Sequence, residues 1–354
     1  MHRDTRITRN SNVELLRFML MISICVWHLL VHGLDIKNVA NNNLEISSFS
    51  YFLLSLTVPC VNAFMLISGY YGLKLSSKIF KLSAKCLLYF VPITILLIYL
   101  RGECVHYNTI LYISKRLFTL SSNIWWFMTD YTILLLLSPI INTGVSLLSK
   151  KQFQIVLLSL LFINSVAIYF NYIGSGSNVQ SLLIIYLLGR YISIYCHRIS
   201  TGKMLICWLS SIILLFVSLM MFDFSGRQYK IWWFLFYNNP LVIIQSVSLF
   251  LLVIQFQPTS NMLFLFLGKH SLSIYLITEL LGMYLYGQWA QLYLHHPLRL
   301  LLFIPLTCIV CVLIDAMQDK IINWLFSHSI INNSLDKFDN FVQGLKIEDK
   351  TIVK

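Results

Sequence analysis

Runs of about twenty almost uninterrupted apolar residues recur along the whole of this 354-residue chain, and that length crosses the ~30 Å hydrocarbon core of a bilayer as an α-helix. Nothing else in the sequence constrains the fold as strongly. In lipid every backbone N–H and C=O must find its partner inside the protein, which leaves helices or closed barrels. Barrel strands read as short alternating segments, and these runs do not alternate. The fold class is therefore read as an all-α integral membrane protein. Composition agrees, with 58% hydrophobic and 11% charged residues, against about 25% charged in an ordinary soluble domain.

About ten transmembrane helices are expected by length and loop charge. They fall near 12–33, 49–72, 86–100, 125–147, 154–172, 179–196, 204–222, 240–256, 269–287 and 299–317. Lys74, Lys78, Lys81 and Lys85 make the most basic short loop, and Lys150 and Lys151 follow the fourth run. Basic loops stay inside, so both termini are expected to be cytoplasmic. The chain then divides into a basic cytoplasmic tail at 1–11, a transmembrane domain at 12–318 and a cytoplasmic tail at 319–354. Arg3, Arg6 and Arg9 precede the first run, but no small-residue cleavage site follows, so that run reads as a retained span. The Asn-rich loop with Asn38 and Asn41, and the amphipathic stretch 101–124, are expected outside. The aromatic segment FSGRQYKIWWFLFYNNP, at 224–240, is read as either lying along the interface or dipping into the protein.

The net charge of +12 invites a nucleic-acid reading. The basic residues sit in short clusters between apolar runs, where anionic lipid is the natural counter-charge, and no nucleic-acid partner is expected. Most of the eight cysteines lie within spans and form no disulfide framework. Cys308 and Cys311, one turn apart in an apolar run, read as small packing residues.

The first span carries ionisable groups where they cost most. ELLRFMLMISICVWHLLVH places Glu14, Arg17, His28 and His32 in one apolar helix. Arg17 is three residues from Glu14, a neighbour on the helix surface. His28 lies eleven residues from Arg17, on nearly the same face and ~16 Å along the axis. Such a polar stripe must face protein or a wet cavity, and is a functional lead by default. Each residue also has a plainer reading. Arg17 near a helix end can snorkel to the interface. His28 can be a satisfied core histidine, or pair with His32 at i, i+4 on a metal for which no third ligand is identifiable, so no metal is expected.

Further segments join this stripe in order. They are FMLISGYYG (64–72), WWFMTDY (125–131), LLLLSPIIN (134–142), YNNPLVIIQSVSLF (237–250) and LGKHSLSIYLI (267–277). With the Arg17-x10-His28 pattern these resemble the membrane-bound acyltransferase-3 family, in particular its bacterial surface-polysaccharide O-acetyltransferases. The resemblance runs over about residues 12–317. It implies an acyltransferase of the bacterial cytoplasmic (inner) membrane. Such an enzyme moves an acyl group, usually acetyl, from acyl-CoA to a hydroxyl of a cell-surface polysaccharide or its lipid-linked precursor. The donor is a substrate, and no permanently bound cofactor is implied.

By the same resemblance His28 is the catalytic residue, with Arg17 essential at the end where the donor enters. We read Glu14 as paired to Arg17, the two shaping that site. Lys78, Lys81 and Lys85 stand where family members often carry arginines near coenzyme A, although they also serve as a positive-inside anchor. Ser68, Tyr70, Trp126 and Asp130 are candidate acceptor contacts, with helix packing and interfacial anchoring as the plainer uses of Gly69 and the aromatics. One departure stands out. Where many members follow IYLI with a histidine, this chain has Thr278 and then Glu279, an in-span carboxylate and a candidate substrate contact. The rival readings are a lipid-linked saccharide flippase or transporter, and a glycan polymerase.

Overall fold

The computed structural model describes residues 9–34, 44–102, 107–166, 175–196 and 199–344. The first eight residues of the basic tail, the Asn-rich loop at 35–43, residues 103–106, 167–174, 197–198 and 345–354 lie outside the described residues.

The helices begin with α1 (Ser11–His28, running into a π turn at Leu29–Gly33), α2 (Leu44–Thr57), α3 (Cys60–Tyr71), α4 (Lys78–Arg101) and α5 (Tyr107–Arg116). They continue with α6 (Trp126–Leu147), α7 (Lys150–Val166), α8 (Val179–Tyr195), α9 (Thr201–Phe224) and the short α10 (Ile231–Leu235). Then follow α11 (Pro240–Ile254), α12 (Met262–His270), α13 (Leu272–His295), α14 (Pro297–Phe326) and α15 (Ser329–Gly344).

Among the described residues, eight stretches are long and apolar enough to cross a membrane, so the protein is an all-α, multi-pass membrane protein. The places of the fifth and sixth expected spans are taken by α7 and α8, each 17 residues long. At ~1.5 Å per residue such a helix runs ~25 Å, short of the hydrocarbon thickness. Residues 167–172, which would complete the fifth, are not among those described. The last expected span is longer than the apolar run suggested, since α14 carries on through Asp319 to Phe326.

Two spans break where the sequence supplies a breaker. The stretch Ser47–Tyr71 divides at Pro59, which has no N–H to continue the helical ladder. Ile231–Ile254 divides at Asn239, whose side chain accepts from Leu241 N at 2.9 Å, with Pro240 opening α11. The aromatic segment before it dips into the protein. Asn62 Nδ2 donates to the Tyr237 carbonyl at 2.7 Å, and the buried Asn238 donates to Asn164 O at 3.1 Å.

The chain forms two compact units, Met1–Gly72 with Val145–Leu313, and Leu73–Gly144 with Ile314–Lys354. In the first, α1 is the hub and packs against α2, α3, α11, α12 and α13. That position explains how it tolerates polar side chains, because they face protein rather than lipid. α9 does the reverse and turns Ile206, Ile213, Met221 and Phe224 outward, as a lipid-facing helix must. The α3–α8 crossing is a glycine contact. A Cβ added at Gly189 would stand 2.9 Å from Gly69 Cα and 2.5 Å from the Leu66 carbonyl oxygen. Gly69 thus serves helix packing, the plainer of its two readings.

In the second unit, Lys85 of α4 lies 2.8 Å from Asp315 and 3.4 Å from Asp319 of α14, and Tyr89 donates to Asp315 at 2.6 Å. The amphipathic α15 is tethered to the start of α4. Ser77 donates to Asp339 through its hydroxyl at 2.7 Å and its backbone N–H at 2.6 Å, and Phe80 meets Phe338 edge-on. The Ser77 hydroxyl, then its N–H, hold the Asp339 carboxyl below the usual carboxylate range. Because the folded value is the lower one, this tether is at full strength above the unfolded value of about 4 and weakens as pH falls through the folded value. Acidifying below about pH 4 is expected to release α15. Limited proteolysis between α14 and α15 should then speed up, and Asp339→Asn should give that pattern at neutral pH. An unchanged cleavage rate in both would show that the tether does not hold the helix.

Candidate active site

The N-terminal end of α1 is stapled to the loop between α11 and α12. Ser11 N and Oγ both donate to Thr259 O, at 3.1 and 2.7 Å, and Asn261 N donates back to Ser11 Oγ at 3.1 Å. Asn12 Nδ2 donates to Gln257 O at 2.9 Å, and Thr259 Oγ1 donates to Asn12 Oδ1 at 2.8 Å. Just inside this staple, Glu14 is 2% exposed and its Oε1 accepts from two guanidiniums. Arg17 Nη1 stands at 2.7 Å and Arg9 Nε at 2.8 Å. Gly268 of α12 makes the burial possible, since a Cβ there would stand 2.5 Å from Glu14 Cβ and Oε2. The Glu14–Arg17 pair read from the sequence is present. Arg9 and Gly268 were not read as part of it.

At the other end of α1, His28 is 7% exposed. Its Nδ1 lies 2.9 Å from the Tyr286 hydroxyl and 3.1 Å from Glu279 Oε2, both on α13. The carboxylate stands close without the alignment of a finished hydrogen bond. Two local features assemble this trio. The helix departs from α geometry directly after His28, in the π turn, a form that recurs at functional sites. Gly33 in that turn comes so close to α13 that a Cβ would stand 2.6 Å from the Tyr286 carbonyl oxygen. α13 is also kinked at Gly282 (φ 19°, ψ −107°), between Glu279 and Tyr286. Residues seven apart are ~10.5 Å apart along a straight helix, yet both reach one imidazole nitrogen. Thr278, where the resemblance implied a histidine, is tied back to Ile274 O at 2.7 Å and neighbours Cys25 instead.

The other sequence candidates are placed elsewhere. Ser68 Oγ donates to Phe64 O at 3.0 Å within its own helix, and the Tyr70 ring packs edge-on against Tyr71 and Phe250. Trp126 and Asp130 share a face of α6, four residues apart and half-buried. Lys78 and Lys81 are exposed at the start of α4, with the Lys81 ammonium over the Phe326 ring at 5.7 Å. Lys85, read as a donor contact, has its ammonium engaged by the buried Asp315 and by Asp319. Among the residues of the first unit the structure therefore gathers two groups around side chains of α1, Arg9–Glu14–Arg17 and His28–Glu279–Tyr286. Eleven residues, or ~16 Å of helix, separate Arg17 from His28.

A buried histidine beside an acidic side chain, on the central helix of a multi-pass membrane protein, fits a membrane enzyme that moves protons during group transfer. The chain belongs to the acyltransferase-3 family, whose profile, described as an acyltransferase domain, matches residues 10–316. No curated protein and no solved structure matches it. The protein is thus an acyltransferase of a broad family associated with acyl-CoA-type donors, and the transporter and polymerase readings are not carried further.

Proposed function

We propose that this protein transfers an acyl group, acetyl in the first instance, from acyl-CoA to a hydroxyl of a cell-surface polysaccharide or its lipid-linked precursor. It would do so in the cytoplasmic membrane of a bacterium, with about ten spans and both termini inside. The observation that carries the reading is the buried His28 imidazole with Glu279 Oε2 3.1 Å from Nδ1. With the Tyr286 hydroxyl accepting from Nδ1–H at 2.9 Å and the Glu279 charge close by, the Nε2 lone pair is left free to act as base.

In this reading Nε2 takes the proton of the acceptor hydroxyl as its oxygen attacks the thioester carbonyl. The C–O bond forms, and the tetrahedral intermediate collapses with cleavage of the C–S bond. The leaving thiolate recovers the proton from the imidazolium. Glu279 stabilises that transient cation, a role that replaces the acceptor contact suggested by its place in the sequence. Glu14 and Arg17 shape the donor end. The donor's extended pantetheine arm lets phosphates held near Arg17 serve a thioester at His28.

The test is the O-acetyl content of the host's purified surface glycan, read by proton NMR in the intact strain, a deletion and complemented strains. Deletion should remove acetyl groups and the wild-type gene restore them. Glu279→Gln, which keeps shape but removes charge, is expected to lower kcat about a hundredfold or more with KM little changed. A Glu279→Gln enzyme with wild-type kcat would remove the carboxylate from the mechanism.

A further inference from the structure

Glu14 carries one negative charge, and two guanidiniums share one of its oxygens. One unit of positive charge is left over, held at a fixed place. Arg9 is no part of a loose tail, because Asn10 caps α1 and accepts from Asn12 N at 3.0 Å, and the next two residues are stapled to Gln257, Thr259 and Asn261. Arg9 binds Glu14 through Nε, which leaves both of its terminal NH2 groups; Arg17 binds through Nη1, which leaves Nη2 and Nε. No other hydrogen bond engages either side chain among the described residues. The Arg9 side chain is 52% exposed and that of Arg17 25%, whereas their carboxylate is 3% exposed. A buried acid thus orients two accessible forks that retain a net positive charge. Planar N–H forks with surplus positive charge match the oxygens of a phosphate.

We propose that Arg9 and Arg17 together form a two-armed phosphate clamp, preorganised by Glu14, which holds a phosphate of the acyl-CoA donor. This rests on the acyl-transfer reading and assigns Arg9, a residue outside the Arg17-x10-His28 stripe, to donor binding. Glu14 is a positioning residue in this arrangement, since its free oxygen faces Gly268 and its bound one faces the arginines. The same chemistry would also recognise an anionic phospholipid headgroup, so the experiment must tell the two sources apart.

The probe is coenzyme A itself, titrated calorimetrically into purified full-length protein. Arg9→Ala and Arg17→Ala are each expected to weaken binding about tenfold, as loss of a charge-assisted bond does. Arg9→Lys should recover part of that loss. Lys203→Ala, which removes an exposed charge elsewhere, should leave affinity unchanged. Melting curves identify variants that fail to fold, and Arg9→Lys keeps the test open in that case. The lipid arm repeats the comparison in nanodiscs with and without phosphatidylglycerol and measures the anionic lipid retained. Weakened coenzyme A binding with unchanged lipid retention supports the clamp as a donor site. Lost lipid retention with unchanged coenzyme A affinity overturns the donor assignment in favour of a headgroup. No change in either overturns the clamp altogether. A His28→Ala protein that still transfers acyl groups would sink the catalytic reading instead, whatever Arg9 does.

Discussion

His28→Ala, at matched membrane levels, is expected to abolish detectable acetylation of the surface glycan while leaving the glycan itself intact. Loss of a positioned general base costs about a hundred- to ten-thousandfold in rate. The upper part of that range is expected here, because nothing else among the described residues is placed to substitute. Tyr286 and Glu279 both stand on the imidazole and lose that partner with it, and His32, its ring centroid 5.4 Å away, sits one turn further along the π segment. Binding should suffer much less, since the Arg9–Glu14–Arg17 group lies ~16 Å away along the helix. In membranes or purified protein, kcat should therefore collapse with KM for the donor nearly unchanged. Unchanged acetylation in the variant would remove His28 from the chemistry. A shortened or missing glycan with normal acetylation would point to transport or polymerisation as the activity.

Gly189→Ala is expected to be severely damaging to the first unit. The new carbon would stand 2.5 Å from the Leu66 carbonyl oxygen, 2.9 Å from Gly69 Cα and 2.9 Å from Tyr70 N. All three are backbone atoms, so no rotamer change relieves the overlap and α3 must move away from α8. Overpacking of this kind costs about 1–3 kcal/mol, and a helix pair held by close approach in lipid has little else to hold it. The melting temperature in detergent should fall by several degrees, with activity lost to unfolding rather than to chemistry. Gly144→Ala is the contrast, because an added Cβ there meets nothing within 4 Å. It should be neutral or stabilising by up to about 1 kcal/mol, the helix-propensity gain alone. Equal melting temperatures for the two variants would mean that the crossing tolerates separation.

The membrane class and the importance of the first span were legible because both rest on costs that sequence displays directly. A bilayer demands long apolar runs, and an ionisable residue inside one is conspicuous. Glu14, Arg17, His28 and Glu279 all announced themselves in this way. Tyr286 did not, since one tyrosine among 19 in an aromatic-rich chain carries no signal until the π turn and the Gly282 kink bring it to His28. Arg9 read as one of several leader charges, because the bond that distinguishes it depends on where Glu14 points. The pairing of Lys85 was illegible for the mirror reason. This lysine lies in a basic run, and its carboxylate partners are 230 and 234 residues away. Pairings across such separations are set by tertiary packing, on which local pattern is silent.

That distance in sequence also governs when the protein can first act. The imidazole lies on α1, whereas the groups that orient it lie on α13, which leaves the ribosome some 250 residues later. During synthesis His28 therefore waits in the membrane with no carboxylate beside it, and a chain arrested before residue 272 holds a base that nothing aims. The site is complete only once α13 arrives. Nascent and truncated copies, already inserted among the lipids, would spend no donor.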